Sequence, residues 1–348
     1  MTGVPISDLL RKETPFIDVR SPVEFNRGSI PGAKNLPILT DSEREQIGKT
    51  YKNSGQKKAI ALGTKLVSGS TKRFRVDSWI DFIEHVEDPW IFCWRGGLRS
   101  QIAQGWLKDR GLSIPKIKGG YKAMRAYCSD LLDHAPQQKS WFVLGGRTGS
   151  GKTILIENRP ESINLEKLAN HRGSAFGNKI DGQPTPINFE NNLAISYLKH
   201  PSKVLLIEDE GRTIGRLALP NNWYHHMREV PLIIIETSFE ERVQNILEEY
   251  VIDPLTSGQD PAVLETNYQI ALYKIRKRLG SDRHSKISQV MKIGFQKNEH
   301  RPWIEDLLQL YYDPAYDYQL TKKIERVVFQ GAASEINHFI DGLTKKIN

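Results

Sequence analysis

A glycine loop set between an apolar strand and a helix leaves a chain few ways to fold. Here Trp141-Phe142-Val143-Leu144 leads into Gly146-Arg147-Thr148-Gly149-Ser150-Gly151-Lys152-Thr153, and Thr153-Ile154-Leu155-Ile156 opens a helix. The spacing G-x-x-x-x-G-K-[ST] is that of a Walker A phosphate loop. Successive N–H groups of Gly149 to Lys152 wrap a diphosphate, and the Lys152 ammonium neutralises it. Thr153 is placed to ligate Mg²⁺ where a metal accompanies the phosphates. Such a loop sits at the carboxyl edge of a parallel sheet flanked by helices, so this part of the chain reads as α/β.

Two further apolar runs, Val204-Leu205-Leu206-Ile207 and Leu232-Ile233-Ile234-Ile235, supply buried strands. The first leads to Glu208-Asp209-Glu210, the Walker B position. Glu rather than Asp follows the strand directly, so Glu208 reads either as a metal ligand or as part of a solvated acidic strand end. Leu168-Ala169-Asn170-His171-Arg172-Gly173-Ser174-Ala175-Phe176-Gly177 falls at the same sheet edge. Its His171, Arg172 and Ser174 either touch substrate or form a plain turn. Gly211-Arg212-Thr213-Ile214-Gly215-Arg216 offers Arg212 and Arg216 for phosphate contact.

A second device lies upstream. Trp90-Ile91-Phe92 is a short apolar strand ending at Cys93, followed by Trp94-Arg95-Gly96-Gly97-Leu98-Arg99-Ser100 and a helix over 99–110. A loop of this kind turns its backbone N–H groups inward as an anion nest, and the helix adds its positive N-terminal end. Both lower the cysteine pKa. Gly96 and Gly97 let the backbone curl, and Arg99 offers a bidentate contact to a tetrahedral oxyanion. Cys128, in Tyr127-Cys128-Ser129-Asp130-Leu131-Leu132, reads as a helix-packing residue. Two cysteines in all are too few for a disulfide framework.

The 348 residues divide into 1–132, a linker at 133–140, a phosphate-loop domain at 141–265, and a mainly helical region at 266–348 with scope for nucleic-acid contact. No segment reaches the ~20 apolar residues that span a bilayer, and the first residues lack the pattern of a signal peptide, so a cytoplasmic location is expected. The net charge of +8 suits an anionic partner such as nucleic acid, or marks a merely basic protein. Lys274, Lys277 and Arg278 share a helical face near Arg283: a phosphate-backbone stripe, or solvated helix charge. The rings of Tyr311-Tyr312-Asp313-Pro314-Ala315-Tyr316-Asp317-Tyr318 either stack on bases or pack in the core.

Asp18-Val19-Arg20-Ser21-Pro22-Val23-Glu24-Phe25, Gly28-Ser29-Ile30-Pro31-Gly32-Ala33, Cys93 and Ile117-Lys118-Gly119-Gly120-Tyr121 together resemble a rhodanese domain. The Cys-x5-Arg loop is longer than that of ordinary sulfurtransferases and suits a larger anion such as selenophosphate; Ser29 stands where many rhodaneses have His. Joined to the Walker A segment, the Ala-Asn-His-Arg-Gly-Ser-Ala-Phe-Gly stretch and the Tyr-Tyr-Asp-Pro-Ala-Tyr segment, the chain resembles the tRNA 2-selenouridine synthase family over nearly its whole length. The resemblance implies an N-terminal rhodanese-like α/β domain, then a P-loop NTPase-like α/β domain with a helical C-terminal region. It further implies replacement of sulfur by selenium in wobble 2-thiouridine of tRNA, with selenophosphate as donor and S-geranyl-2-thiouridine, made from geranyl diphosphate, as intermediate. No tightly bound cofactor is expected, Mg²⁺ being optional. Three other readings stand beside it: a rhodanese-type sulfurtransferase with an appended nucleotidase, a Cys-x5-Arg phosphatase, and a nucleotide-controlled RNA-binding protein.

Overall fold

The computed structural model describes residues 4–347. The chain forms two compact units. One is built from the residues up to Leu132 together with Thr185–Lys199; the other from Asp133–Pro184 and from His200 onward.

The first unit is organised on three parallel strands, β1 (Phe16–Asp18), β2 (Ala33–Asn35) and β3 (Trp90–Phe92), in the order β2-β1-β3. A bridge between Ile91 and Lys116 extends the sheet beyond β3. All three residues of β1 are buried, as expected of a parallel strand covered on both faces. Ile17, Val19, Trp79, Ile91, Ala103 and Leu107 fill the core between sheet and helices. The Pro22–Arg27 helix starts where the sequence places one. Ser21 and Glu24 close a capping box on it, and Pro22 enters at a position whose N–H has no helical partner anyway.

Between β2 and β3 the chain builds two long helices, Asp41–Leu66 and Gly69–Glu84. No apolar stripe announces the first one. Thr40 and Glu43 cap it, and Gly55, at φ +82°, breaks its course.

The Pro186–Lys199 helix belongs to this first unit, although the sequence reading sets it inside the 141–265 segment. Its fully buried Asn191 donates to Ser29 O (2.8 Å), its Asn188 side chain accepts from Ser29 N–H (2.8 Å), and Glu190 pairs with Arg125. Buried Phe189, Leu193 and Ala194 complete the attachment.

The second unit has a parallel sheet in the order β5-β4-β8-β9, from β4 (Ser140–Gly145), β5 (Val204–Glu208), β8 (Leu232–Ile235) and β9 (Val327–Gly331). The hairpin β6 (Thr213–Ile214) and β7 (Leu217–Ala218) stands apart from it. Residues 161–163 add a short parallel edge against β5. β9 comes from the largely helical C-terminal region and pairs with β8, and the Ala333–Ile347 helix sinks Ile336 and Ile340 into the same core as Leu144, Leu206 and Ile233. The segment 133–140 carries the last residues of the Gly120–His134 helix, a 3₁₀ turn at Ala135–Gln137 and the first residue of β4.

A second core, centred on Tyr268, Leu272, Trp303 and Leu307, joins the remaining helices. Two π-helical turns, Glu248–Ile252 and Leu308–Tyr312, lie in it, each followed by Asp-Pro. Single π turns recur at functional sites because they re-aim one side chain out of helical register. Among the described residues no helix is long and apolar enough to cross a membrane.

Candidate active sites: a cysteine loop and a phosphate loop

β3 delivers Cys93 to the start of the loop, with its side chain buried. Sγ lies 3.4 Å from Ser100 Oγ, and Ser100 Oγ donates to Gly97 O (3.0 Å). Burial pushes the thiol pKa up. The Ser100 hydroxyl and N–H, the Arg99 charge and the Arg95 N–H outweigh it, so the pKa falls below the ordinary thiol value. The loop is locked by glycine contacts. Gly96 (φ +62°), Gly119 (+80°) and Gly120 (+60°) all need the left-handed region. A Cβ on Gly120 would stand 2.3 Å from both Cys93 O and Gly96 N. Tyr121 N–H donates to Cys93 O and Lys122 N–H to Trp94 O, both at 2.9 Å. The Gly119-Gly120-Tyr121 segment therefore forms the floor of the cysteine loop. Gly120→Ala should destabilise this unit by at least ~2 kcal/mol and return the Cys93 pKa towards its ordinary value, read by denaturant unfolding and by thiol titration.

Arg99 is not the free anion clamp that the sequence suggests. Its guanidinium holds Glu24 through two bonds, Nη1 to Oε2 (2.5 Å) and Nη2 to Oε1 (3.0 Å). It bears on Cys93 through its charge, and the loop amides are left as the direct anion donors. The sequence reading assigned no role to two neighbours. Ser100 is in contact with the thiol. Arg20, fully buried, bonds Asp18 (2.6 Å) and Gly28 O (2.9 Å) and lies 3.8 Å from the Tyr121 ring centre. The Asp-Val-Arg pattern was the signal for it. Trp94, Arg95 and Leu98 are exposed on the loop's outer side. Cys128 is buried on its helix, and burial pushes its thiol up to about 12, as suits a packing residue.

β4 ends at Gly145 and the phosphate loop begins at once. Gly149 and Gly151 have φ of +82° and +81°, and Gly149 fits only because no Cβ meets Arg242 O at 2.6 Å. Lys152 Nζ donates to Gly146 O (2.7 Å) and Arg147 O (3.1 Å), across the mouth of the loop. Burial pulls its pKa down, against the pull of four carboxyl groups, Glu166, Glu210, Asp209 and Glu208.

Those carboxyls divide into distinct roles. Asp209 is tied to Lys323 (2.6 Å), a residue of the C-terminal region. Glu208, wholly buried, accepts from Leu165 N–H (3.0 Å), and its other oxygen has no partner among the described residues. Burial raises its pKa to about 8. Glu166 and Glu210 share a hydrogen bond, and burial raises both, Glu210 strongly. Glu166 also accepts from Thr153 Oγ1 (3.2 Å).

The raised pKa of Glu208 has a stability sign. The folded protein keeps this proton to about pH 8, whereas the unfolded chain releases it near 4.5, so stability falls as pH rises through that window. Glu208→Gln should lessen the decline of the melting temperature between pH 5 and pH 8.5, leaving the slope due to Glu166 and Glu210.

The Ala169–Gly177 stretch reaches the same place. A Cβ on Gly173 (φ +62°) would stand 2.5 Å from both Glu166 Oε1 and Glu210 Oε1, so this loop packs directly on the carboxyl pair. Its polar side chains are mostly committed. Arg172 pairs with Glu249 (2.8 Å) and lies over the Tyr250 ring, Ser174 Oγ lies 3.0 Å from Tyr250 OH, and His171 is buried with its pKa lowered by burial.

The tyrosine-rich segment also borders the phosphate loop. Asp317 pairs with Arg147 (2.7 Å), and Asp313 holds the buried Arg242. Tyr312 OH is buried and Tyr318 is exposed, so packing accounts for the first ring and solvent for the last. Arg212 donates to Asn221 Oδ1 (3.2 Å) and Arg216 to Gln183 O (2.6 Å), so both guanidiniums have protein partners. Lys274, Lys277, Arg278 and Arg283 are exposed on the Pro261–Leu279 and Ser281–Lys297 helices. Among the described residues no group of three or more His, Cys, Asp or Glu side chains is arranged to hold an ion.

A rhodanese-type cysteine loop and a glycine-rich loop on a four-stranded parallel sheet define the class: a rhodanese-like domain joined to an α/β domain of P-loop type. Residues 6–127 match the rhodanese-like domain, and residues 139–346 match the tRNA 2-selenouridine synthase AAA domain. The chain is 43% identical to a tRNA 2-selenouridine synthase of Shewanella woodyi, over 94% of each chain. It is 41% identical to that of Shewanella oneidensis, covering 97% of this chain and 94% of the relative, and 41% identical to that of Pseudomonas putida, over 95% of each. The chain belongs to the tRNA 2-selenouridine synthase family.

Proposed function

We propose that this chain replaces sulfur by selenium in wobble 2-thiouridine of tRNA, in two half-reactions run at the two sites. The observation that carries the proposal is full-length likeness to synthases of that name, with both loops intact.

In the first half-reaction the phosphate loop holds geranyl diphosphate. The C2 sulfur attacks the geranyl C1, the C–O bond breaks, diphosphate leaves on the Gly149–Lys152 amides and Lys152, and the N3 proton is lost. A C2 sulfur is a poor leaving group, and alkylation makes it a better one. A small apolar recess beside the loop is lined by Thr148, Phe176, Ile246, Tyr250, Trp303 and Leu307. Where Mg²⁺ accompanies the diphosphate, Thr153 Oγ1 would hold it, and the ion would add to charge neutralisation.

In the second half-reaction the cysteine loop receives selenophosphate on its inward amides. Selenium attacks C2, geranyl thiolate leaves, and water cleaves the P–Se bond to release phosphate. Cys93 with Ser100 positions the donor, and Arg99 supplies charge while anchored on Glu24.

The test is mass spectrometry of nucleosides from 2-thiouridine tRNA. Geranyl diphosphate alone should give S-geranyl-2-thiouridine, and both reagents together 2-selenouridine. An unchanged nucleoside, with ATP consumed instead, would overturn the proposal.

A further inference from the structure

The long helical insertion of the first unit is a stretch the function described so far does not use. Residues 46–75 carry eight Lys and Arg and no Asp or Glu, as much positive charge as the whole chain's net +8. This run lies in the Asp41–Leu66 and Gly69–Glu84 helices.

Three of the eight cations are internally committed: Lys49 to Glu45, Lys72 to Asp109, and the buried Arg75 to Glu43. The other five, Lys52, Lys57, Lys58, Lys65 and Arg73, are exposed and have no ion-pair partner among the described residues. Every residue from 51 to 58 is exposed, on all sides of the helix and through the Gly55 break. Tyr51 (57% exposed) and Phe74 (75%) stand among these cations.

A helix bare on every side has no packing to stabilise it, and short helices are marginal without packing. Like charges at helical spacing, such as Lys49 and Lys52, weaken it further. The fold thus maintains, against its own stability, a one-sign surface carrying exposed rings. Such a surface matches a polyanion with unpaired bases: cations for the phosphates, rings for stacking.

We infer that residues 46–75 form an RNA-binding arm, which grips the tRNA backbone and supplies most of the salt-dependent affinity. This rests on the reading that tRNA is the substrate. It moves the main contact away from the Lys274–Arg283 stripe.

The experiment is binding of purified tRNA to the full chain by fluorescence anisotropy between 50 and 300 mM salt. A variant with Lys52, Lys57, Lys58 and Lys65 all changed to Gln is compared with one in which Lys274, Lys277 and Arg278 are changed to Gln. These side chains are exposed, so neither protein should melt below the wild type. The arm variant is expected to bind at least tenfold more weakly at ~0.1 M salt, with the slope of log affinity against log salt reduced by about 3, close to one per lost phosphate contact. The stripe variant should change little. Equal affinity and slope in the arm variant overturn the arm while leaving tRNA as substrate. So does arm-dependent capture on anionic phospholipid vesicles with tRNA binding unchanged. A wild-type protein that holds no tRNA overturns the substrate reading with it.

Discussion

Lys152→Ala should lower the geranylation rate by about 10²–10³-fold, the range for removing a preorganised donor to a developing anion. The leaving diphosphate gains charge as the C–O bond breaks. The loop amides stay in place in the variant, so residual binding is expected, with the loss in kcat rather than in KM. Lys152 is well suited to this work. Its Nζ already spans the mouth of the loop on the Gly146 and Arg147 carbonyls, and its charge bears on Glu166, Glu208, Asp209 and Glu210 together. Removing it leaves these four groups without their common counter-charge, so the carboxyl pKa values should rise further. Lys152→Arg should not rescue, because the guanidinium is larger than a space closed by Gly146 and Ser150. Single-turnover kinetics with 2-thiouridine tRNA in excess geranyl diphosphate gives the comparison, and undiminished geranylation in Lys152→Ala would remove the phosphate loop from the chemistry.

Cys93→Ser should lower conversion of S-geranyl-2-thiouridine to 2-selenouridine by about 10³-fold or more while leaving geranylation intact. Serine fits the space and keeps a hydroxyl near Ser100, so the fold is retained. What is lost is the thiolate that positions the donor, a group whose pKa the loop brings down. Its pKa lies below the ordinary thiol value while burial pushes that of Cys128 above it, so at a given pH more of Cys93 than of an ordinary cysteine is thiolate. The wild-type rate should therefore hold to lower pH than an ordinary thiol permits. Arg99→Ala should steepen that pH dependence and shift it upward, since it removes one cause of the lowered pKa and leaves Glu24 unpaired at the same time.

The parts of the fold that were legible in the sequence are those where backbone chemistry dictates residue type. The phosphate loop could be read from Gly146 to Thr153 because only glycine tolerates the φ values near +80° that aim the amides inward. The strands at Val204 and Leu232 could be read because parallel strands buried on both faces are continuously apolar. The first helix of the insertion was not legible, because it carries no apolar stripe and residues 51–58 are exposed on every side. β9 was missed because five residues in a charged, helical context carry little strand signal, and its place in the sheet is set by pairing with β8. The Pro186–Lys199 helix shows the same limit: its membership of the first unit depends on Asn191 and Ser29, more than 160 residues apart. In the site, residue types were legible and partners were not. Arg99 was read as an anion clamp from its spacing after Cys93, but Glu24, on another element, occupies its guanidinium. Glu208 was read from its place after β5 as either a metal ligand or a solvated strand end; burial overturns the second, and its Leu165 N–H partner lies on another element.

The central claim is that alkylation and selenium transfer belong to separate loops. The most direct measurement supplies tRNA already carrying S-geranyl-2-thiouridine, with selenophosphate, to the Lys152→Ala and Cys93→Ser proteins, and follows the nucleoside by mass spectrometry. The account predicts 2-selenouridine from Lys152→Ala at close to the wild-type rate and none above background from Cys93→Ser. Failure of Lys152→Ala on the preformed intermediate, or full conversion by Cys93→Ser, would contradict it.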